Sequence, residues 1–279
     1  MDPVRRLSDP GLRNPVALVA FEGWNDASDA ASGTLSYLIG QHDAEPFLII
    51  DPEEFIDFHE TRPIVSVADG VTERLAWPAT RMYGVQQEGA QDLLLVLGDE
   101  PQLRWQTFGA ILVDELRRIG VDQVVMLGAF LGQVPHTAPV PIFGTAGSTD
   151  ELIRLGLSGA NYEGPTGIVG VLAHLFREEG IPALSLWAAT SHYLGTNPNP
   201  KAMLALLERA AAILGISIDA TELAEIAGEF EVRVDAAMSA SEEFSTYVTR
   251  LETLAEGADL EDSAAADLIS EVEDFLKDN

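Results

Sequence analysis

The sequence predicts an α/β fold built on a parallel sheet and followed by a helical tail. Three observations carry this. Asp92 to Leu97 is a short apolar run stopped by Gly98, the pattern of a strand buried on both faces. After Gly98-Asp-Glu-Pro101 the residues Trp105, Phe108, Ile111, Leu112, Leu116 and Ile119 recur at helical spacing, and Gly120 sits where a helix stops. Val121 to Leu127, closed by Gly128, is a second buried strand. A strand, a helix and a strand in that order form a βαβ unit, which demands a crossover and parallel strands. In the tail, Leu223, Phe230, Ala237, Phe244 and Leu251 fall seven residues apart, widened by Ile226, Val234, Val248 and Leu254. That seam predicts a long helix or a helical hairpin.

The remaining elements follow in chain order. Val16 to Phe21 is the first core strand, and Asn25 or Asp26 is positioned to cap an alanine-rich helix ending near Ile39. Phe47 to Ile50 is another strand, ended by Asp51-Pro52. From Phe55 to Gln91 the pattern is loose, with Ile64 to Val67 and Leu75 to Trp77 reading as short strands or an excursion. Three prolines between Val134 and Pro141 forbid a continuous helix or a central strand there. Ile142 to Ala146 reads as a strand, and Ser148 or Thr149 caps a helix reaching Leu155, with Asp150 and Glu151 favoured by its dipole. Asn161 to Gly167 is a glycine-rich turn opening a helix from about Ile168 to Glu179. Ala183 to Ala189 is the last buried strand, and Pro200 to Leu214 is an amphipathic helix. Asp219-Ala-Thr-Glu222 has capping-box spacing, and Asp262 to Leu276 reads as a short final helix. These features divide the chain into an α/β core over 1–218 and an acidic helical extension over 219–279.

Composition narrows the function classes. With 279 residues, 47% hydrophobic and 22% charged, the chain can bury a substantial core. It has no cysteine, which excludes disulfides, thiolate metal sites and cysteine nucleophiles. A formal net charge of −29 repels phosphates and anionic lipid, so nucleic acid and membrane are not expected as partners. About half of that excess, a net of −15, sits on residues 218–279 and reads as a solvated helical face. The polar amino-terminal stretch has no signal-peptide core, and Val16 to Phe21 is too short to span a bilayer, so a cytoplasmic protein is expected.

In open parallel sheets, ligands bind outside the carboxyl ends of the strands. That rule collects Glu22, Asn25 and Asp26 after the first core strand, and Asp99 and Glu100 after the next. His136 and Thr137 follow the strand ending at Gly128, and His192 follows the last one. Asn161, Glu163 and Thr166 at the glycine-rich turn complete a candidate polar pocket. Each has a plainer reading: Asn25 and Asp26 as helix caps, Asp99 and Glu100 as turn acids, His136 and His192 as structural hydrogen-bonding groups. If Asp99 and Glu100 lie close together, one could stay protonated and serve as an acid. No histidine has metal-ligand spacing, so no metal site is expected. There is no Gly-x-Ser-x-Gly elbow, Walker A loop or Gly-x-Gly-x-x-Gly fingerprint, and no cofactor is expected. Gly164-Pro-Thr-Gly167 could present backbone N–H groups to an anion, or simply start a helix.

The sequence resembles the proteasome assembly chaperone 2 family, in its actinobacterial branch. The resemblance rests on Phe21-Glu-Gly-Trp-Asn-Asp-Ala27, Asp57-Phe-His-Glu-Thr-Arg-Pro63, Leu97-Gly-Asp-Glu-Pro101, Asn161-Tyr-Glu-Gly-Pro-Thr-Gly167 and Ser185-Leu-Trp-Ala-Ala189 with His192-Tyr193. It covers roughly residues 15 to 255. It implies a three-layer αβα core with a mostly parallel sheet, similar to the purine nucleoside phosphorylase fold, and self-association into a homo-oligomer. It also implies proteasome subunits as partners, because some members help assemble proteasome rings without catalysis. Other members carry the label of ATP-grasp carboxylate–amine ligases, whose nucleotide-binding signature is missing here. Members that dock on proteasomes can end in a hydrophobic-Tyr-any motif, whereas this sequence ends Leu276-Lys-Asp-Asn279. The expected function is therefore a non-catalytic chaperone-like protein. The alternative is a small-molecule-binding enzyme, phosphorylase-like or ligase-like, working through Asp99, Glu100, His136 and His192.

Overall fold

The computed structural model describes residues 3–89, 91–159, 162–195 and 197–257. The expected helix over 262–276 and the candidate Asn161 lie outside them. The strands are β1 (Val4–Arg6), β2 (Val16–Glu22), β3 (Pro46–Ile50), β4 (Ile64–Ala68), β5 (Val71–Ala76), β6 (Thr80–Val85), β7 (Leu93–Asp99), β8 (Gln123–Gly132), β9 (Ile142–Thr145), β10 (Ser158–Gly159) and β11 (Ala183–Ser191). The helices are α1 (Ala30–Gln41), α2 (Trp105–Ile119), α3 (Thr149–Leu155), α4 (Ile168–Glu178), α5 (Pro200–Leu214), α6 (Thr221–Ser239) and α7 (Glu242–Gly257).

The strands form a nine-stranded sheet in the order β1-β3-β6-β7-β2-β8-β11-β9-β10, with β4 and β5 as a separate hairpin. The centre, β7-β2-β8-β11, is parallel; β6 and β9 join its two sides antiparallel. The central βαβ unit therefore does not pair its own strands, because β2 lies between β7 and β8.

Alternation along the central strands makes three layers. Val16, Leu18 and Ala20 pack with Leu35 and Leu38 of α1 and with Leu206, Leu207 and Ala210 of α5. Their neighbours Ala17, Val19 and Phe21 pack on the opposite face with Phe108, Leu112 and Leu116 of α2 and Leu172 and Phe176 of α4. A strand covered on both faces must be apolar at every position, which is why β2 and β7 read as unbroken runs. Helix ends also follow local chemistry. Gly120 ends α2 at φ 81°, Ser148 Oγ accepts from Glu151 N at 3.2 Å, and Asn199 Oδ1 accepts from Ala202 N at 3.1 Å.

Strand β6 carries no apolar run. Its place depends on a close approach to β7, where a Cβ on Gly98 would lie 2.6 Å from Thr80 Cα. The tail is a helical hairpin of α6 and α7, and Asp219 contributes a turn rather than a formal cap: its Oδ1 accepts from Thr221 N at 3.0 Å, while Ala220 occupies the cap position. Leu223, Ala227 and Val234 of α6 and Val248 and Leu251 of α7 are buried. Among the described residues, no helix is long and apolar enough to cross a membrane.

Candidate functional site

Parallel pairing of β2 with β7 puts Glu22 directly opposite Asp99. The turn after β2 then folds back over the strand ends. Glu100 N donates to Glu22 O at 2.8 Å, and Ala129 N donates to Asn25 O at 2.8 Å, so this turn is stitched to β7 on one side and β8 on the other. The consequence is an acidic corner made from Glu22, Asn25, Asp26, Asp99 and Glu100.

Glu100 is the hub of that corner. Its Oε1 accepts from Asn25 Nδ2 at 2.7 Å and from Ile168 N at 2.8 Å, and its Oε2 accepts from Trp24 N at 3.3 Å. Ile168 is the first residue of α4, so a carboxylate of the chain itself fills the helix N-terminus that Gly164-Pro-Thr-Gly167 opens. Asn25 lies flat on this turn. A Cβ on Gly167 would sit 2.3 Å from Asn25 Oδ1, so the close contact requires glycine. Asp26 caps α1 from outside the helix, accepting from Ala31 N at 2.7 Å and Ser32 N at 3.2 Å.

The charges of this corner are costly. Burial is the leading cause that lifts Glu22, Asp26 and Asp99 above the ordinary carboxylate range. For Glu22 the repulsion from Asp99, Asp26 and Asp29 adds to it, while Arg81 opposes it. A raised carboxylate contributes stability that is complete below its ordinary pKa and is lost as pH rises through the folded value. At neutral pH the ionisation of these groups therefore costs stability, least at Glu22, which is exposed.

The other candidates lie elsewhere. His136, Thr137 and His192 form a second cluster at the ends of β8 and β11, where the tail is fastened. His136 Nε2 donates to Asp235 Oδ1 of α6 at 2.9 Å. Tyr193 Oη accepts from His136 N at 2.7 Å and lies 2.6 Å from Nδ1, to which it donates in the neutral imidazole. His192 Nδ1 donates to Gly132 O at 3.1 Å, which leaves Nε2 to accept from Tyr247 Oη of α7 at 3.1 Å. Thr137 Oγ1 donates to Glu252 Oε1 at 2.6 Å, and Lys201 Nζ bridges His136 O at 2.6 Å and Glu231 Oε1 at 2.7 Å. The rings of His136, His192, Tyr193 and Tyr247 meet edge to face. Both nitrogens of each imidazole are thus engaged, and one of each pair holds a helix of the tail. Glu163 and Thr166 sit exposed on the loop ahead of α4 and join neither cluster.

Tyr247, Asp235 and Arg81 belong to these sites without a sequence motif, since their roles come from contacts across distant elements. Ser28 is another unforeseen residue, buried and left-handed at φ 57° beside Asp29 at φ 50°. Its hydroxyl donates to Gly195 O at 3.1 Å and lies 3.4 Å from Thr190 Oγ1, with both histidine rings committed elsewhere. Among the described residues, no group of three histidine, aspartate or glutamate side chains could hold a metal ion.

The tail fastening gives a direct expectation. Replacing His136 with alanine removes the tie from Tyr193 to Asp235 and opens a void under α6. Amide exchange in α6 and α7 should then speed up about tenfold or more, while β2, β7 and β8 keep their protection. Equal acceleration throughout the chain would show that the cluster supports the core instead.

Comparison with known proteins agrees with this architecture. A solved Mycobacterium tuberculosis proteasome-assembly chaperone homologue is 40% identical, with 84% of this chain and 99% of that one covered and a TM-score of 0.78. A PAC2 family protein from Streptomyces avermitilis is 42% identical over 84% and 99% of the two chains, with a TM-score of 0.76. The archaeal proteasome activator PbaB of Pyrococcus furiosus shares the fold at 19% identity, covering 85% and 99%, with a TM-score of 0.64. Among proteins of curated function, none matches this chain. The model of the PAC2 family matches residues 20–238, and with these relatives it establishes that the chain belongs to the PAC2 family.

Proposed function

We propose that this protein is a non-catalytic, homo-oligomeric, chaperone-like protein of the cytosol whose clients are proteasome subunits. The observation that carries the self-association is the β4–β5 hairpin. It stands apart from the main sheet, and every residue of β4 is exposed. Ile64 is 72% exposed and Val71 65%, and Val65, Val67, Leu75 and Trp77 are also exposed. Register pairs share a face, so Val65 with Leu75 forms an apolar pair on one side and Ile64 with Ala76 another on the opposite side. A two-stranded hairpin alone in water is marginal at best, and an apolar patch of this kind marks an association surface.

Charge selects a second copy as what covers it. The protein carries −29, so most of its surface repels another copy. Along 62–77 the charges of Arg62, Asp69, Glu73 and Arg74 balance, which makes the hairpin a neutral segment on a strongly acidic chain. The client class is supported by the name of the 40% identical relative, a proteasome-assembly chaperone homologue. The absence of catalysis is supported by the commitment of His136 and His192 to the tail and by Ser28 bonding to a carbonyl.

The test combines native mass spectrometry with a paired substitution, Val65→Glu with Leu75→Glu. The wild type is expected as a discrete oligomer carrying a proteasome α- or β-subunit when drawn gently from its own cells. The double variant is expected as a monomer with unchanged circular dichroism. A wild-type monomer, or a variant with the wild-type mass, would overturn the role of the hairpin. A bare oligomer from cells containing assembling proteasomes would overturn the client.

A further inference from the structure

We infer that the β4–β5 hairpin is clamped between two neighbouring copies of this chain in a closed head-to-tail ring of three or more subunits, which rests on the hairpin being the self-association surface.

Strand β4 reads Ile-Val-Ser-Val-Ala, the near-continuous apolar run of a strand covered on both faces, yet all five of its residues are exposed. In β5, Val71 to Leu75 are exposed as well. Successive side chains of a strand point to opposite faces, so the register sorts the paired residues into two sets. The first face carries Val65 and Val67, with Leu75 and Thr72 across from them. The second carries Ile64, Ala68, Ala76 and Val71, with Arg74 the one charge among the paired positions. Both faces are apolar, and the chain's own fold leaves both open. The hairpin is nonetheless anchored at its root. There the Trp77 ring meets Phe58 edge to face at 4.9 Å, and Arg81 Nη2 donates to Trp77 O at 3.0 Å.

Two hairpins can join in three ways. Second face on second face sets Arg74 against Arg74, and like charges opposed are destabilising. First face on first face makes a two-fold dimer that leaves Ile64 and Val71, 72% and 65% exposed, in water. That contact is also small. With strands of five and six residues, at about 3.3 Å per residue and about 4.8 Å between strands, one face has a footprint of about 200 Å². A standard interface buries about 800 Å² on each partner. First face on second face covers both and gives every copy two neighbours. Arg74 then lies along an uncharged face, its stem on apolar surface and its guanidinium at the rim.

The size of the body closes the ring. Packed sheet faces lie about 10 Å apart, whereas the nine-stranded sheet behind each hairpin is about 40 Å wide. Successive copies must therefore turn about a common axis to keep their bodies apart, and two different neighbours per copy require at least three copies.

The test uses the full chain and one paired substitution on each face, Val65→Glu with Leu75→Glu and Ile64→Glu with Val71→Glu. Native mass spectrometry should give the wild type a single mass of three or more subunits. Each variant alone should be a monomer with wild-type circular dichroism, because every joint needs both faces. Mixed in equal amounts, the two variants should form a dimer containing one of each. In that dimer the intact first face of one copy meets the intact second face of the other, which also shows that both are folded. A wild-type dimer or an unbounded series of wild-type masses overturns the ring. So does a wild-type mass for the Ile64→Glu, Val71→Glu variant, or a mixture without the dimer. These results leave the hairpin as an association surface, whereas a wild-type monomer overturns the self-association itself.

Discussion

Replacing Glu100 with alanine is expected to cost about 3 kcal/mol of stability, because it orphans three donors at once. Asn25 Nδ2, Ile168 N and Trp24 N all converge on this one carboxylate. Asn25 is buried, so its amide cannot turn to water instead. Glu100→Gln separates hydrogen bonding from charge. Its amide oxygen can take the place of Oε1 and keep the Asn25 and Ile168 bonds. What it loses is the bond from Trp24 N, which its NH2 group cannot accept, and the anion at the α4 N-terminus, the latter worth about 0.3–1 kcal/mol. Chemical denaturation should therefore rank wild type above Glu100→Gln, with Glu100→Ala far below. If glutamine and alanine cost the same, the charge and not the hydrogen-bond network holds the corner.

The opposite end of the sheet has a hub of the same kind, and Asp92→Ala should lose about 3 kcal/mol there. The Asp92 side chain is fully buried where β2 and β7 begin. It accepts from Arg13 N at 2.7 Å, Arg13 Nη2 at 2.8 Å, Arg13 Nε at 3.1 Å and Gln87 N at 2.9 Å. Arg13 is half exposed and can reach water after the change, so most of the loss comes from the two backbone N–H groups. These bonds, that from Arg13 first, hold the carboxyl at about 2, below its ordinary 3.8. A lowered acid contributes stability that is complete above 3.8 and disappears as pH falls through about 2. The gap in stability between wild type and Asp92→Ala should accordingly be widest from about pH 4 upward and shrink below about pH 3. A gap independent of pH over that range would mean that packing, not the ionised carboxylate, accounts for the loss.

The two hubs differ in how visible they are in the sequence. Glu100 lies directly after a buried strand, where the strand-end rule looks, and so it is found along with Glu22 and Asp99. Asp92 lies ahead of the same strand and reads as an ordinary boundary residue, although its burial is complete. Local pattern reports which element a residue ends. It does not report that Arg13, seventy-nine positions earlier, arrives beside it.

The same limit separates the candidate residues. His136 and His192 satisfy the strand-end rule as well as Glu22 does, but the tail closes over their end of the sheet. The acids of the tail read as a solvated face, and a long helix gives no sign that Asp235 or Glu252 will meet the core. Strand β6 was equally hidden. Thr80 to Val85 holds a threonine, an arginine and a glycine, and it is a strand only because β3 and β7 supply its partners on both sides. The hairpin was legible only in part: Ile64 to Val67 and Leu75 to Trp77 read as short strands or an excursion, whereas the second strand runs from Val71 to Ala76. Its isolation from the sheet was not legible.

By itself the sequence determined the elements whose burial is complete. β2, β7 and β8 carry apolar runs because both faces are covered, β11 does so around Ser185, whose buried hydroxyl bonds Thr145 and Trp187, and α2, α4 and α5 carry one apolar stripe because one face is covered. Hydrophobic periodicity records burial, so it fixes the α/β class and the helical tail. Only the tertiary structure decided that β2 separates the strands of the central βαβ unit, that Glu22 and Asp99 share a corner, and that the histidines fasten the tail. Those outcomes depend on strand order and on contacts between distant residues, and a one-dimensional pattern of burial carries neither.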